Sequence, residues 1–271
     1  MLTRAVALVT VLLVQVVNQS PRELLRVARP LTSSEIAIVL AASRDAMAGR
    51  TLRLPSVFNG QGPELRMGPA GLPTAVRSLS TVEGGMISVS ADGIPPTSTH
   101  FVEEVTRFID YTGGAVRRCD GAIEPGEMVI EYVRHGAGRD WTATARRREA
   151  NDVGGLGYAW AFAMLRGGGS LVSTEQGQVA GRPARAFAAP WVLPGGDNVE
   201  RIILRGDPAP NVIGEPAPNE SIQTLWIDAE SLLPLRWEVN RHGELTHGFD
   251  FTYVPIALQP PAGVHAPECI R

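Results

Sequence analysis

The chain has 271 residues, a formal net charge of −3 at pH 7 and 44% hydrophobic residues, values that suit a packed globular protein. All 25 basic residues are arginine, a bias that fits a GC-rich genome better than dedicated phosphate or carboxylate recognition. The near-balanced charge argues against a strongly anionic partner, and we expect no nucleic-acid partner.

The N-terminus has one arginine followed by an apolar run over 5–17. A membrane-spanning helix needs about 20 apolar residues, whereas the apolar region of a signal peptide has about 7–15. We therefore predict that residues 1–20 are a signal peptide or, if uncleaved, an N-terminal anchor and the only membrane contact. The absence of an A-x-A cleavage pattern leaves those two alternatives open. Either one predicts a periplasmic or secreted protein.

The two cysteines, Cys119 and Cys269, lie far apart in the sequence. An even number of cysteines in an exported protein favours a disulfide, which would tie the end of the chain to its middle. Two free buried thiols are the alternative for a cytoplasmic chain.

A first helix is predicted after residue 31. Residues 32–35 match a capping box, in which Thr32 and Glu35 satisfy the first free amides of a helix. Gly49 suits the C-terminal end of this helix. The apolar residues at helical spacing are Ile36, Val39, Leu40 and Met47.

The middle of the chain gives weaker signals. Residues 50–90 are rich in glycine and proline, which predicts short strands and long loops. Residues 100–110 fit either a helical stripe or a strand. Residues 128–133 and 140–145 predict strands, and 199–204 a further one. Residues 206–219 contain four prolines and predict an exposed loop.

Residues 154–166 predict a helix that is apolar on every side. Such a helix must be buried on more than one side, and about 13 residues are too few to span a bilayer. It is either an ordinary core helix or a helix against the concave face of a curved sheet.

Strands dominate the last hundred residues. Residues 171–176 and 178–186 predict a hairpin-like pair around Gly177, and 221–256 predict three antiparallel strands with alternating apolar side chains. Turn formers at 228–231 and 240–243 mark the two chain reversals within 221–256.

No catalytic pattern is present in the sequence. The five histidines lack metal-ligand spacing, no serine lies in a G-x-S-x-G motif, and the acid pairs Glu103–Glu104 and Glu127–Glu131 fit solvated faces. We therefore expect a protein that is not an enzyme and that uses no cofactor and no metal.

Three stretches resemble the lipoprotein-carrier superfamily, the LolA/LolB/LppX-like exported bacterial proteins: VSTEQGQVAGRPARA at 172–186, LWIDAESLLPLRWEV at 225–239 and FDFTYVPI at 249–256. The resemblance implies an α+β fold in which a curved antiparallel sheet forms an incomplete β-barrel with covering helices. It implies one such half-barrel domain over 21–271 and an apolar cavity that holds acyl chains.

The leading hypothesis is therefore binding of a lipid or another hydrophobic small molecule in the half-barrel cavity. The alternative is a non-catalytic periplasmic interaction or scaffold module, with a self-filled barrel and an envelope protein as its partner. A hydrolase with an unrecognised site ranks third. The aromatic residues predicted to form the wall of the cavity are Trp141, Trp160, Phe162, Trp226, Trp237, Phe249 and Phe251.

Overall fold

The computed structural model describes residues 19–55, 62–69, 71–88, 97–111, 114–148, 156–167, 171–191 and 221–270, and only the backbone of 81–88, 97–102 and 156–160. The predicted signal or anchor, apart from its last two residues, lies outside the described residues. So do the predicted strand 199–204 and the predicted loop 206–219.

The described elements form an α+β protein that is mostly antiparallel sheet, as predicted. The helices are α1 Pro21–Arg26, α2 Ser33–Met47 and α3 Leu156–Arg166. The strands are β1 Thr51–Arg53, β2 Glu64–Met67, β3 Pro73–Ser88, β4 Thr97–Asp110, β5 Ala115–Arg117, β6 Ile123–His135, β7 Thr142–Arg147, β8 Val172–Val179, β9 Arg182–Pro190, β10 Ile222–Asp228, β11 Pro234–Arg241, β12 Glu244–Asp250 and β13 Thr252–Val254.

The N-terminal helices begin with capping boxes. Ser20 and Glu23 cap α1 reciprocally through side-chain bonds to each other's amide. At α2 the Thr32 amide donates to Glu35 Oε2 at 2.8 Å, and the Glu35 amide donates to Thr32 Oγ1 at 3.4 Å, which confirms the predicted capping box. The predicted apolar stripe of α2 is buried throughout.

Eight strands form the larger sheet, in the order β13-β1-β2-β3-β4-β6-β5, with β7 paired to β6. The ambiguous segment 100–110 is a strand, because β4 pairs with β3 along its whole length. The prediction of short strands and long loops over 50–90 is wrong at 73–88, where β3 runs for 16 residues. The glycines and polar residues of this segment give no clear strand pattern in the sequence, and cross-strand pairing with β4 stabilises the strand.

One face of the eight-stranded sheet holds an apolar cluster. Phe108 and Tyr132 are cross-strand neighbours with ring centroids 5.9 Å apart. The C-terminal residues Leu258, Val264 and Ile270 pack on the same cluster and so cover this face.

Five strands form the smaller sheet, in the order β12-β11-β10-β9-β8. The hairpin of β8 and β9 turns at Ala180 and Gly181, not around Gly177 as predicted. Both turn residues have positive φ, as a two-residue hairpin loop of type I′ requires. The two predicted reversals of 221–256 are confirmed: Asp228 Oδ1 accepts bonds from the Glu230 and Ser231 amides, and 242–243 form the second turn.

The third strand predicted within 221–256 is divided in the structure. Residues Glu244–Asp250 pair in the five-stranded sheet as β12, and Thr252–Val254 pair with β1 in the eight-stranded sheet as β13. Phe251 alone separates these two edge strands along the chain.

The chain forms two compact units. One includes most of the five-stranded sheet with α1 and nearly all of α2, and the other includes the eight-stranded sheet and the C-terminal tail. Each unit draws on several separate stretches of sequence, so this division does not decide whether 21–271 is one folding domain, and the single domain stays a prediction. No helix in the described part of the chain is both long and apolar enough to cross a bilayer.

Candidate functional site

The predicted aromatic wall is not one surface. Trp226 is the cross-strand partner of Arg236, and Leu225 is the partner of Trp237. Because successive side chains of a strand point to opposite faces, Trp226 and Trp237 lie on opposite faces of the five-stranded sheet. These two rings therefore cannot line a single cavity on that sheet.

Each of these tryptophans is held by neighbours in the same sheet. Trp237 is 2% exposed, and its indole N–H donates to Gln223 Oε1 at 3.4 Å. The indole N–H of Trp226 donates to Glu238 Oε1 at 3.3 Å. The Trp226 ring covers Gly177, where a Cβ atom would lie 3.1 Å from the ring. A side chain at residue 177 would therefore press against the indole, which explains the glycine in the middle of β8.

Three of the predicted residues do come together. The Phe249 and Phe251 ring centroids are 5.1 Å apart, and those of Phe162 and Phe251 are 6.4 Å apart in an edge arrangement. All three rings are buried, Phe162 to 1% exposure. These separations are typical of aromatic rings packed in a core.

The remaining two predicted residues lie elsewhere. Trp141 is half-buried beside the apolar cluster of the eight-stranded sheet, with the guanidinium of Arg134 over its ring at 4.9 Å. The side chain of Trp160 lies outside the described residues.

The predicted disulfide between Cys119 and Cys269 is confirmed, with the two Cα atoms 5.1 Å apart. The backbone reinforces the same connection, because the Cys119 amide donates to the Ile270 carbonyl at 3.0 Å and the Ile270 amide donates to the Arg117 carbonyl at 2.8 Å. The C-terminal tail is thereby fixed over the apolar face of the eight-stranded sheet.

Arg185 is a buried cation that the sequence analysis did not identify. It lies on β9 with 1% exposure, and its guanidinium donates to the carbonyls of Val27, at 2.6 Å, and of Arg29. Burial lowers the pKa of Arg185, and the nearby charge of Arg29 lowers it further. The only sequence signal for this role was a charged residue inside the small apolar run 184–189.

Two polar side chains of β8 complete this arrangement. Gln176 donates to the carbonyls of Leu25 and Val27, at 3.2 and 2.6 Å, and Ser173 Oγ accepts from the Leu31 amide at 2.6 Å. The free carbonyls at the end of α1 are therefore satisfied by the sheet. We call Arg185, Gln176 and Ser173 the N-terminal clamp, because together they fix residues 24–31 to the five-stranded sheet.

A cleft of about 380 Å³ lies beside this clamp. Its lining includes Leu25 and Arg26 from α1 and Gln176 and Gly177 from β8, and it contains none of the seven predicted wall residues.

A second cleft, of about 220 Å³, lies on the eight-stranded sheet. Glu64 lines it and binds two guanidinium groups, Arg53 at 2.7 Å and Arg77. Burial raises the pKa of Glu64, but the hydrogen bonds from Arg53 and Arg77 outweigh burial and hold the pKa below its usual value. Glu64 is therefore ionised at neutral pH and neutralised by its neighbours. We call this the arginine cleft; its lining residues are Gly62, Glu64, Arg77, Ser78, Leu79, Glu104, Thr106 and Arg134.

In the described part of the chain, no group of three or more His, Cys, Asp or Glu side chains has the arrangement of a metal site. No family model matches the chain, and no curated protein is detectably similar to it. The likeness to the lipoprotein-carrier superfamily therefore stays a resemblance, and a functional assignment depends on the geometry described above.

Proposed function

We propose that this chain is an extracytoplasmic, non-enzymatic interaction module whose apolar interior is filled by its own side chains. The proposal rests on where the structure places the residues of the predicted ligand wall. Phe162, Phe249 and Phe251 are buried against one another, and Trp226 and Trp237 face opposite sides of a sheet. An acyl chain would have to displace rings that already make these contacts.

The apolar helix α3 supports the same conclusion. Its residues 161–165 are all at most 1% exposed, so this stretch is enclosed on every side. Side chains with so little accessible surface are part of the packed interior and do not line an open cavity. Of the two hypotheses drawn from the sequence, the self-filled module therefore fits these contacts better than the lipid binder.

An extracytoplasmic location is part of the proposal. The Cys119–Cys269 disulfide supports it, because such bonds persist in oxidising compartments and are rare in the bacterial cytosol.

We retain the incomplete barrel as a proposal for the arrangement of the strands. The antiparallel strand order supports it.

An envelope protein is the partner class that we propose. Both edge strands of the five-stranded sheet carry a large exposed aliphatic side chain, Val172 on β8 and Leu245 on β12. Edge strands with exposed apolar side chains are surfaces on which another chain can pair.

Native mass spectrometry tests the proposal. The chain is purified without detergent from a lipid-containing host and then incubated with phospholipid vesicles. We expect the bare mass of the chain before and after incubation. A bound mass of acyl-lipid size, released by organic extraction, would refute the self-filled interior and restore the lipid-carrier hypothesis.

A further inference from the structure

Arg134 differs from the other arginine that lines the arginine cleft. Arg77 is paired with Glu64, whereas the Arg134 guanidinium has no carboxylate partner among the described residues. Its Nη2 donates to Thr106 Oγ1 at 3.4 Å, a long hydrogen bond. Its Nε is buried and has no hydrogen-bond acceptor in the described part of the chain.

Strand register places this group at one end of the covered apolar face. Thr106 is the cross-strand partner of both Leu79 and Arg134, and it lies two residues from Phe108 on the same strand. The row Leu79–Thr106–Arg134 therefore shares the face of the apolar cluster and forms the floor of the cleft.

The Arg134 guanidinium lies over the Trp141 ring. Its carbon lies 4.9 Å from the centroid of the Trp141 ring, a distance at which a cation is attracted to the aromatic face. A guanidinium presents its N–H groups as a planar fork, which matches the two oxygens of a carboxylate.

We infer that the arginine cleft binds a small carboxylate, which accepts hydrogen bonds from the Arg134 guanidinium and from the Thr106 hydroxyl. The volume of about 220 Å³ is below the roughly 300–1,000 Å³ of pockets for drug-sized ligands, so the ligand has few heavy atoms. Glu64 is already neutralised by Arg53 and Arg77, but Glu104 lines the same cleft and repels a second negative charge, which selects a monoanion over sulfate or phosphate.

This site goes beyond the proposed function and does not depend on it. A chain that carried acyl lipid could bind a small carboxylate here, and a self-filled module could lack the site. The failure of one proposal is therefore distinguishable from the failure of the other.

The test uses the chain labelled with 5-fluorotryptophan and followed by ¹⁹F NMR. The Trp141 resonance is identified as the one lost in Trp141→Phe. Sodium acetate, sodium sulfate and sodium chloride are titrated separately at pH 7 and constant ionic strength. We expect a saturable shift of the Trp141 resonance with acetate, and none with chloride or sulfate.

Variants assign the site to Arg134. Arg134→Gln and Arg134→Lys should each weaken acetate binding about tenfold or more, since glutamine lacks the charge and lysine lacks the planar fork. Arg117→Gln is the matched control, because Arg117 is exposed on β5 outside the cleft, and it should bind acetate like the unmodified chain. Thr106→Val, which keeps the arginine, should also weaken binding.

The inference is wrong if acetate gives no saturable shift, or if sulfate binds as tightly as acetate. It is also wrong if Arg134→Gln binds acetate as tightly as the original chain. If Arg134→Gln does not fold, equal acetate binding by Thr106→Val has the same meaning.

Discussion

The N-terminal clamp makes a quantitative prediction for Arg185→Met. This substitution keeps the length and apolar stem of the side chain but removes the donors to the Val27 and Arg29 carbonyls. Hydrogen bonds of a charged group contribute about 1.5–3 kcal/mol each, so the loss of these two amounts to about 3–6 kcal/mol. Burial of methionine in place of a desolvated cation stabilises the variant by about 1–2 kcal/mol and offsets part of this loss. We expect a net loss of about 2–4 kcal/mol in the free energy of unfolding.

Urea denaturation followed by circular dichroism measures this loss, and hydrogen exchange locates it. The amides of 24–31 should lose protection in Arg185→Met while those of β3 and β4 keep theirs. Arg22→Met is the control, because Arg22 is exposed on α1 and its replacement should change stability by less than about 0.5 kcal/mol. An Arg185→Met chain as stable as the original would show that the guanidinium's desolvation cancels its hydrogen bonds, and the clamp would not stabilise the fold.

Three further predictions concern other parts of the fold. Cys119→Ser opens a loop with a sequence separation of 150 residues and should lower the free energy of unfolding by about 2–5 kcal/mol in chemical denaturation. In the original chain, unfolded without reduction, iodoacetamide should modify neither cysteine. Gly177→Ala brings a methyl group to 3.1 Å from the Trp226 ring and should cost about 1–2 kcal/mol by thermal unfolding, whereas an unchanged Tm would show that the indole moves freely. Hydrogen bonds from Arg29 lower the pKa of Glu35 to about 2, so its contribution to stability is complete above pH 4.5 and is lost as the pH falls through about 2; a Glu35 pKa near 4.5 by NMR would contradict the ion pair.

Local signals in the sequence were enough to predict several elements correctly. The capping box of Thr32 and Glu35 and the stripe of α2 depend on residues within a few turns of one another, and the structure has both. The same is true of the turn at Asp228, where a carboxylate binds amides two and three residues later. The disulfide followed from the number of cysteines and the predicted compartment.

The features that the sequence did not predict depend on contacts between residues that are far apart in the sequence. Strand β3 has little alternation of its own and is stabilised by β4. The placement of Trp226 and Trp237 on opposite faces depends on the register of β10 and β11, although both residues looked alike as wall candidates. From the sequence alone, Arg185 resembles an exposed arginine on a strand. It is buried because α1 packs above it, and the carbonyls of this segment accept its hydrogen bonds.

If the apolar interior is already filled by its own side chains, added apolar probes should find no site in the original chain. N-phenyl-1-naphthylamine and the smaller benzene are titrated separately into the original chain, into Phe162→Ala and into Leu245→Ala, a control truncation at a side chain with 64% exposure. Loss of the Phe162 ring leaves a buried apolar void, and such voids bind small aromatic molecules. We predict no saturable binding of either probe by the original chain or by Leu245→Ala, and a gain of benzene binding in Phe162→Ala, with folding of each variant checked by circular dichroism. Stoichiometric binding by the original chain, displaced by added phospholipid, would show that the interior is an open lipid cavity.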